Sequence, residues 1–237
     1  MAEASHNLFD RLPPEKKDRI IQASIDEFAD HGFHQASINR LVNRLGIAKG
    51  SIFQYFGSKE KLFTFVFDYA IELAKTKLRS VRETTKTLPF FQRIRSIIWA
   101  GIEFVEEHPN IYRLYLKMIF HENFPLREEL LKKVHILSAD YLRSLVEDAI
   151  SKGELRNDLD IDFVVFFLDS MLDRFLQAYT VAFLDIGAGI YRAPKKELAG
   201  KIDQFMSILE AGLSNTRGEI VHTSFDRMLT EGMVHHE

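Results

Sequence analysis

The sequence contains no cysteine, only six prolines and a single tryptophan among its 237 residues. Without cysteine the chain cannot form disulfides, bind zinc through thiolates or use a thiol nucleophile. No stretch approaches the roughly 18 consecutive apolar residues that a membrane-spanning helix needs. The first residues lack an apolar segment of signal-peptide length. We therefore expect a soluble, cytoplasmic protein with no membrane partner.

Apolar residues are plentiful, and their spacing follows the helical repeat. They make up 46% of the chain, which is enough to build one or two packed domains. An early example is the i, i+4, i+7, i+8 stripe formed by Ile21, Ile25, Phe28 and Ala29. We find no strand-like alternation of useful length, so the sequence predicts an all-α fold.

One short segment, Ser37 to Phe63, combines two brief apolar-periodic stretches separated by Gly46. Ser37 suits the N-cap of the first helix, whose inward face is expected to comprise Ile38, Leu41, Val42 and Leu45. Gly46 supplies the positive φ that a tight turn needs. After a second, very short helix, Ser58 is expected to cap a long helix that reaches about Thr84. A helix, a glycine turn and a short helix form the helix-turn-helix pattern.

The charge distribution distinguishes this segment from the rest of the chain. The formal net charge is −3, but residues 31–61 contain five basic residues and one acidic residue, which leaves −7 for the remainder. A small positive region on an acidic body can contact a polyanion locally. A solvated surface is the alternative interpretation of the charge alone.

The second helix of the pair is polar on one side. We expect its apolar residues to anchor it inward: Ile47, Ile52, Phe53 and Phe56. Its other side chains can reach into a DNA major groove, which is about 12 Å wide: Lys49, Ser51, Gln54 and Tyr55. Gly50 permits close backbone approach, and Lys59 lies at the positive N-terminus of the next helix, where phosphate binds well. From periodicity alone, a helix pair that binds no DNA remains an alternative.

The run "GIAKGSIFQYFGSKEKLF", residues 46–63, resembles the signature of the tetracycline-repressor (TetR) family of transcriptional regulators, and "EFADHGFHQASINRLVNRLG" before it is similar to the usual lead-in. The close match covers Ile20 to Phe63. This resemblance implies a set of DNA-contacting residues: Asn39, Arg40, Lys49, Gly50, Ser51, Gln54, Tyr55 and Lys59.

The resemblance also divides these residues by role. Lys49 and Gly50 correspond to positions that reach base edges, whereas Ser51, Tyr55 and Lys59 correspond to phosphate contacts. Asn39 and Arg40 belong to the preceding helix, which adds phosphate or base contacts. Phe53 departs from the family, which has a tyrosine there whose hydroxyl meets phosphate. Gln54 either compensates for that loss or reads an adenine edge.

The pattern predicts three regions: a DNA-binding domain over residues 1–62, with a fourth helix starting near 58; a helical effector-binding and dimerisation domain over 63–213; and a tail over 214–237.

The helix Ile161 to Leu184 is apolar on more than one face, which requires two packing partners. We expect the second partner to be another subunit, in an isologous contact with the helix Lys195 to Leu213. The tail contains a possible short amphipathic turn formed by Val221, Phe225, Met228 and Leu229.

The second domain is rich in aromatic residues and has few polar groups on its apolar stripes. Ordinary core and dimer interface explain this composition, but an apolar pocket with a few polar anchors also fits and is what the resemblance implies. The pocket is expected between helices starting near Pro89, Asn110, Leu126 and Ile161. The candidate effector-binding residues are Trp99, Tyr112, Tyr115, His135, Phe166, Asp169 and Arg174. We also expect Arg174 to pair with Asp169 or Asp173 until a ligand carboxylate replaces that partner.

The sequence offers little support for an enzyme, a metal or a cofactor. Gly187 to Gly189 follows no strand and lacks a third glycine, so it is not a dinucleotide loop. His31 and His34 straddle Gly32 and do not share a helical face, as zinc ligands would. The helix-turn-helix and the resemblance together imply a dimeric regulator, a repressor of palindromic operator DNA released by a small, largely hydrophobic effector. The alternative is an all-helical ligand-binding or scaffold protein with a purely structural helix-turn-helix.

Overall fold

The computed structural model describes residues 8–120, 124 and 126–215. This part of the chain is helical and has no strands, only an isolated bridge between Leu155 and Ser214, so the all-α prediction is confirmed. Its α-helices are α1 (Pro14–Gln35), α2 (Ile38–Leu45), α3 (Lys49–Phe56), α4 (Lys59–Thr85), α5 (Phe90–Glu107), α6 (Pro109–Phe120), α7 (Arg127–Ser151), α8 (Ile161–Thr180) and α9 (Lys195–Leu213).

Local capping chemistry defines the helix-turn-helix. The Ser37 hydroxyl accepts the Arg40 N–H at the start of α2, and the Ser58 hydroxyl accepts the Lys61 N–H at the start of α4. Gly46 lies between α2 and α3 with φ 68° and ψ 34°, the left-handed conformation in which glycine carries no Cβ penalty. The predicted caps and turn are confirmed.

Two helices depart from regular or expected geometry. Gly32 is typical of a left-handed helix end, and its backbone does leave helical geometry, with φ 65° and ψ −176°, but one further turn follows to Gln35. Helix α8 ends at Thr180 instead of continuing to Leu184, because Val181 is extended, and a short 3-10 turn then spans Ala182–Leu184.

The buried residues form two hydrophobic cores. The first contains the inward faces of α1 to α3 and the first half of α4, and it also includes Ile111, Leu114 and Met118 from α6. The second is built from α5, α7, α8 and α9, together with Tyr112 of α6. Because α6 packs into the first core, the core of the helix-turn-helix domain also includes side chains from a helix beyond residue 62.

The predicted amphipathic turn within residues 214–237 lies outside the described residues. Along the part of the chain that the structure describes, no helix is long and apolar enough to cross a lipid bilayer.

Candidate DNA-binding face and internal cavity

Helix α3 is held by two fully inward side chains and presents polar groups on its other side. Ile52 and Phe56 are buried in the first core, whereas Lys49, Gly50 and Gln54 are exposed and Ser51 is half-buried. This arrangement agrees with the predicted anchoring by Ile52 and Phe56. The polar outer surface of this short helix is therefore available to contact a DNA groove.

Two aromatic residues on α3 are placed opposite to expectation. Phe53 is 41% exposed, and the Tyr55 side chain is buried at 9% exposure, with its ring 6.1 Å from that of Phe9. The predictions that Phe53 points inward and Tyr55 outward are therefore wrong. Helical geometry gives the reason: Tyr55 is three residues after the buried Ile52, whereas Phe53 is four residues after the exposed Lys49.

Arg40 is fixed by a buried carboxylate on α1. Its Nε lies 3.0 Å from both Glu27 carboxylate oxygens, and the Ser37 N–H donates to Glu27 Oε1 at 2.7 Å. Burial by itself would raise the pKa of Glu27, but the hydrogen bonds from Arg40 and Ser37 outweigh it and lower that pKa. The Arg40 side chain remains half exposed, so its guanidinium is oriented without being covered.

Lys59 has an intramolecular role that the sequence did not indicate. Its Nζ donates to the carbonyls of His34 at 3.1 Å and Ala36 at 2.9 Å, and it lies 4.8 Å from the centre of the Phe33 ring. Burial lowers the pKa of Lys59. Lys59 thus ties the start of α4 to the turn between α1 and α2, and one ammonium N–H remains for the predicted phosphate contact.

The predicted contact residues Asn39, Arg40, Lys49, Gly50 and Gln54 are all exposed. Two further residues on α2 are exposed beside them, Asn43 and Arg44, and Arg44 is positioned by a hydrogen bond of 2.6 Å to Asp26. Their i+4 spacing from Asn39 and Arg40 was the signal that could have added them to the predicted set.

A cavity of about 250 Å³ lies between helices α4 to α8. The sequence predicted that α5, α6, α7 and α8 would surround it, but it did not indicate α4. The lining is predominantly apolar, with residues such as Phe67, Ile71, Leu78, Ile97, Phe104, Val105, Leu142, Leu172 and Leu176.

Four of the predicted effector residues line this cavity: Tyr112, Tyr115, His135 and Asp169. The other three do not. Trp99 packs against the second core, and Phe166 is 65% exposed at the surface. Arg174 donates to the Leu184 carbonyl at 3.0 Å.

The expected pairing of Arg174 with Asp169 or Asp173 is therefore wrong. On α8 the cavity-facing residues recur at the i, i+3, i+4, i+7 spacing of Asp169, Leu172, Asp173 and Leu176. Arg174 falls outside that spacing, and its side chain instead donates to the Leu184 carbonyl beyond the end of α8.

The polar groups of the cavity cluster on α8 and its neighbours. Asp173 accepts hydrogen bonds from the Tyr115 hydroxyl at 3.3 Å and from the Gln177 amide at 2.7 Å. Asp169 accepts a hydrogen bond from the Ser138 hydroxyl and lies 3.3 Å from His135 Nδ1. Sequence reasoning left several lining residues out of the predicted set: Lys77, Gly101, Ser138, Tyr141 and Asp173.

Comparison with known proteins places this architecture in a family. Residues 20–64 match the model of bacterial regulatory proteins of the tetR family, and residues 88–214 match the tetracyclin repressor-like C-terminal domain. The chain belongs to the TetR family of transcriptional regulators. It therefore combines a helix-turn-helix DNA-binding domain with a ligand-binding domain and is a regulator, not an enzyme.

Individual relatives agree with this assignment. A TetR family transcriptional regulator from Chloroflexus aurantiacus J-10-FL superposes with a TM-score of 0.64 at 29% identity, covering 88% of this chain and 97% of that one. The probable acrEF/envCD operon repressor of Escherichia coli K12 is 22% identical over 68% of this chain and 74% of its own length. The transcriptional activator FasR of Mycolicibacterium smegmatis is 27% identical over 60% of this chain and 62% of its own.

Proposed function

We propose that this regulator is a repressor that binds palindromic operator DNA as a homodimer. A small, largely hydrophobic effector enters the cavity and releases the protein from the DNA. In this role the protein works in the cytoplasm, where it meets its operator. The exposed, basic outer face of α2 and α3 supports DNA binding over the alternative of a purely structural helix pair.

The observation that carries the proposal is the course of helix α4. Near its start, Lys59 is bonded to the turn before α2, and further along its length Phe67, Ile71 and Leu78 line the cavity. A helix of 27 residues is about 40 Å long and transmits displacement along its axis. A ligand in the cavity therefore acts directly on the element that holds the recognition helix.

The dimer is supported by apolar side chains left uncovered on α8 and α9. Phe163 and Phe166 are two-thirds exposed on α8, and Ile208 is exposed on α9. Large exposed apolar residues of this kind mark interaction surfaces. For the dimer to bind successive major grooves, a two-fold axis there must place the two recognition helices about 34–36 Å apart.

Effector release follows as a population shift between two conformations of the dimer. The DNA-competent conformation keeps the two α3 helices one helical turn of DNA apart. The effector binds the other conformation more tightly, so each bound effector lowers operator affinity by at most the ratio of its two affinities.

The experiment begins by selecting duplexes from a random library with the full-length protein. Affinity for the selected duplex should fall steeply with salt, with a slope of about −0.9 per neutralised phosphate in log–log form. A shallow slope would favour the structural alternative.

Placing the selected duplex across a promoter should lower transcription, whereas increased transcription would favour an activator such as FasR.

A variant series connects the result to α3. Lys49→Ala should reduce affinity for the selected duplex more than for random duplex, by about 1–3 kcal/mol of discrimination. The matched control is Lys132→Ala, which removes an exposed lysine from α7. Equal losses on both duplexes for Lys49→Ala would contradict base reading by this residue.

A further inference from the structure

Two carboxylates lie one helical turn apart on the α8 wall of the cavity. Asp169 and Asp173 both line it, amid a surface that is otherwise mainly apolar. In low-dielectric surroundings a carboxylate requires compensation by a cation or by several hydrogen bonds. The identity of the groups facing these two side chains therefore determines which ligand the cavity accepts.

The groups that face the two carboxylates are mostly neutral. Tyr115 and Gln177 donate to Asp173, and Ser138 donates to Asp169. His135 lies beside Asp169 at 3.3 Å and is half exposed. No lysine or arginine is paired with either carboxylate in the part of the chain that the structure describes.

Among the described residues that line the cavity, Lys77 is the only lysine, and two glutamates already offset its charge. Lys77 Nζ lies 2.9 Å from Glu103 and 3.4 Å from Glu107, and these ion pairs raise the pKa of Lys77. Both glutamates are on α5, so Lys77 is held toward that helix and its charge is offset twice. A negatively charged ligand would find no available cation there.

A second, independent observation comes from two tyrosine hydroxyls in the cavity wall. Tyr112 is only 7% exposed, and none of the described residues donates to its Oη; the Tyr141 Oη is also buried without a partner among them. The Thr180 hydroxyl lies within reach of Tyr112, but because it donates to the Leu176 and Gln177 carbonyls it can only accept from Tyr112. A buried oxygen without a donor costs roughly 1–3 kcal/mol, so the Tyr112 oxygen is available to accept from a ligand donor.

The electrostatic state of Asp173 agrees with this geometry. Burial, together with the charge of Asp169, raises the pKa of Asp173. A ligand cation would offset both effects, whereas a ligand carboxylate would add a third negative charge. The rings of Tyr112 and Tyr115, with centroids 5.7 Å apart, add faces on which an ammonium group is stabilised by cation–π attraction.

We propose that the effector is a hydrophobic amine bound as its ammonium cation. The ammonium group lies against Asp173 and Asp169, and one of its N–H groups donates to the Tyr112 hydroxyl oxygen. The apolar part of the amine fills the space between α4, α5 and α6. This assignment rests on the function proposed above, since it names the class of effector for the same cavity. The volume of about 250 Å³ limits the buried part to a small molecule.

Three probes with the same chain and different head groups test the charge: octylamine, octanol and octanoate. Each is titrated calorimetrically into the full-length protein near neutral pH, without DNA. Octylamine should bind about tenfold or more tightly than octanol, as expected for a charge-assisted hydrogen bond in place of a neutral one. Octanoate should bind more weakly than octanol.

Variants locate the charge in the protein. Asp173→Asn preserves shape and one of the two hydrogen-bond acceptors but removes the negative charge, so it should abolish most of the octylamine preference and change octanol affinity far less. Asp169→Asn should reduce the preference in the same direction and provides a second test if Asp173→Asn folds poorly. The matched control is Asp162→Asn, which removes an exposed carboxylate from the same helix and should leave all three affinities unchanged.

The outcomes separate this proposal from the preceding one. Three results would each overturn the amine assignment, whatever the protein does to DNA. Octanoate could bind as tightly as octylamine, the preference for octylamine could persist in both cavity variants, or none of the probes could bind. If octylamine binds with the expected preference and the selected duplex is still not released, the amine assignment holds and effector-driven release fails.

Discussion

The side-chain amide of Asn110 donates to Asp26 Oδ1 at 2.7 Å and thereby joins α6 to α1. The same Asp26 carboxylate accepts from Arg44 on the exposed face of α2 at 2.6 Å. One turn further along α6, Arg113 pairs with Asp30 of α1. Since α6 also turns Tyr112 into the cavity, a single helix connects the cavity wall to the DNA-binding domain.

Replacing Asn110 by alanine should weaken this connection measurably. Asp26 is largely buried, so losing its amide donor should lower the free energy of unfolding by about 1–2 kcal/mol. A double-mutant cycle of Asn110→Ala and Asp26→Ala, followed by urea unfolding, should give a coupling energy of similar size. The control Asn157→Ala removes an exposed asparagine and should show no coupling to Asp26. Additive effects of the Asn110 and Asp26 substitutions would show that the hydrogen bond stabilises nothing.

Glu27 should make the stability of the protein sensitive to acid. Its pKa is lowered in the folded protein from the ordinary value of 4.5. The stabilisation is therefore complete above that pH and is lost as the pH falls through the lower folded value. Glu27→Gln should cost about 2 kcal/mol at neutral pH and have a shrinking effect below about pH 4. Chemical unfolding across this range measures both, and Glu147→Gln, at an exposed site on α7, is the control. A cost that stays constant down to acid pH would mean that Glu27 acts by packing and not by charge.

Phe53 offers a gain-of-contact test of the DNA-binding face. Because its ring is exposed beside Lys49, Phe53→Tyr adds a hydroxyl at the position where the family has a phosphate-contacting tyrosine. Affinity should rise by about 1 kcal/mol on selected and random duplexes alike, since a phosphate contact reads no sequence. Fluorescence anisotropy with both duplexes measures this, and Tyr191→Phe, at an exposed tyrosine far along the chain, is the control. A gain confined to the selected duplex would instead assign base contact to this position.

The exposed aromatic residues of α8 should control oligomeric state. Phe166→Glu places a charge at a side chain that is 65% exposed in the single chain and that the proposed interface would bury. Burying an unpaired charge costs several kcal/mol, so sedimentation equilibrium should show a shift from dimer to monomer. Phe53→Glu makes the same chemical change on α3 and should leave the dimer intact. A dimer that persists with Phe166→Glu would move the interface away from this part of α8.

The sequence by itself determined the features that depend on near neighbours along the chain. The helix-turn-helix, its caps at Ser37 and Ser58 and its glycine turn at Gly46 were all predictable, because side-chain capping and positive φ are local properties. The all-α fold followed from periodicity for the same reason. The positions of Phe53 and Tyr55 were misjudged although the helical repeat contained the answer.

Tertiary structure decided which of the many polar and aromatic residues of the second domain share a cavity. The participation of α4 depends on how that long helix packs against α5, which no local pattern specifies. The same holds for Arg174, which bonds to a carbonyl beyond the end of its own helix instead of the carboxylates beside it in sequence. Asp169 and Asp173 face the cavity with neutral donors around them because α6 and α7 bring Tyr115 and Ser138 there. Burial and partner choice are properties of the assembled helices, so the charge of the cavity became visible only in the fold.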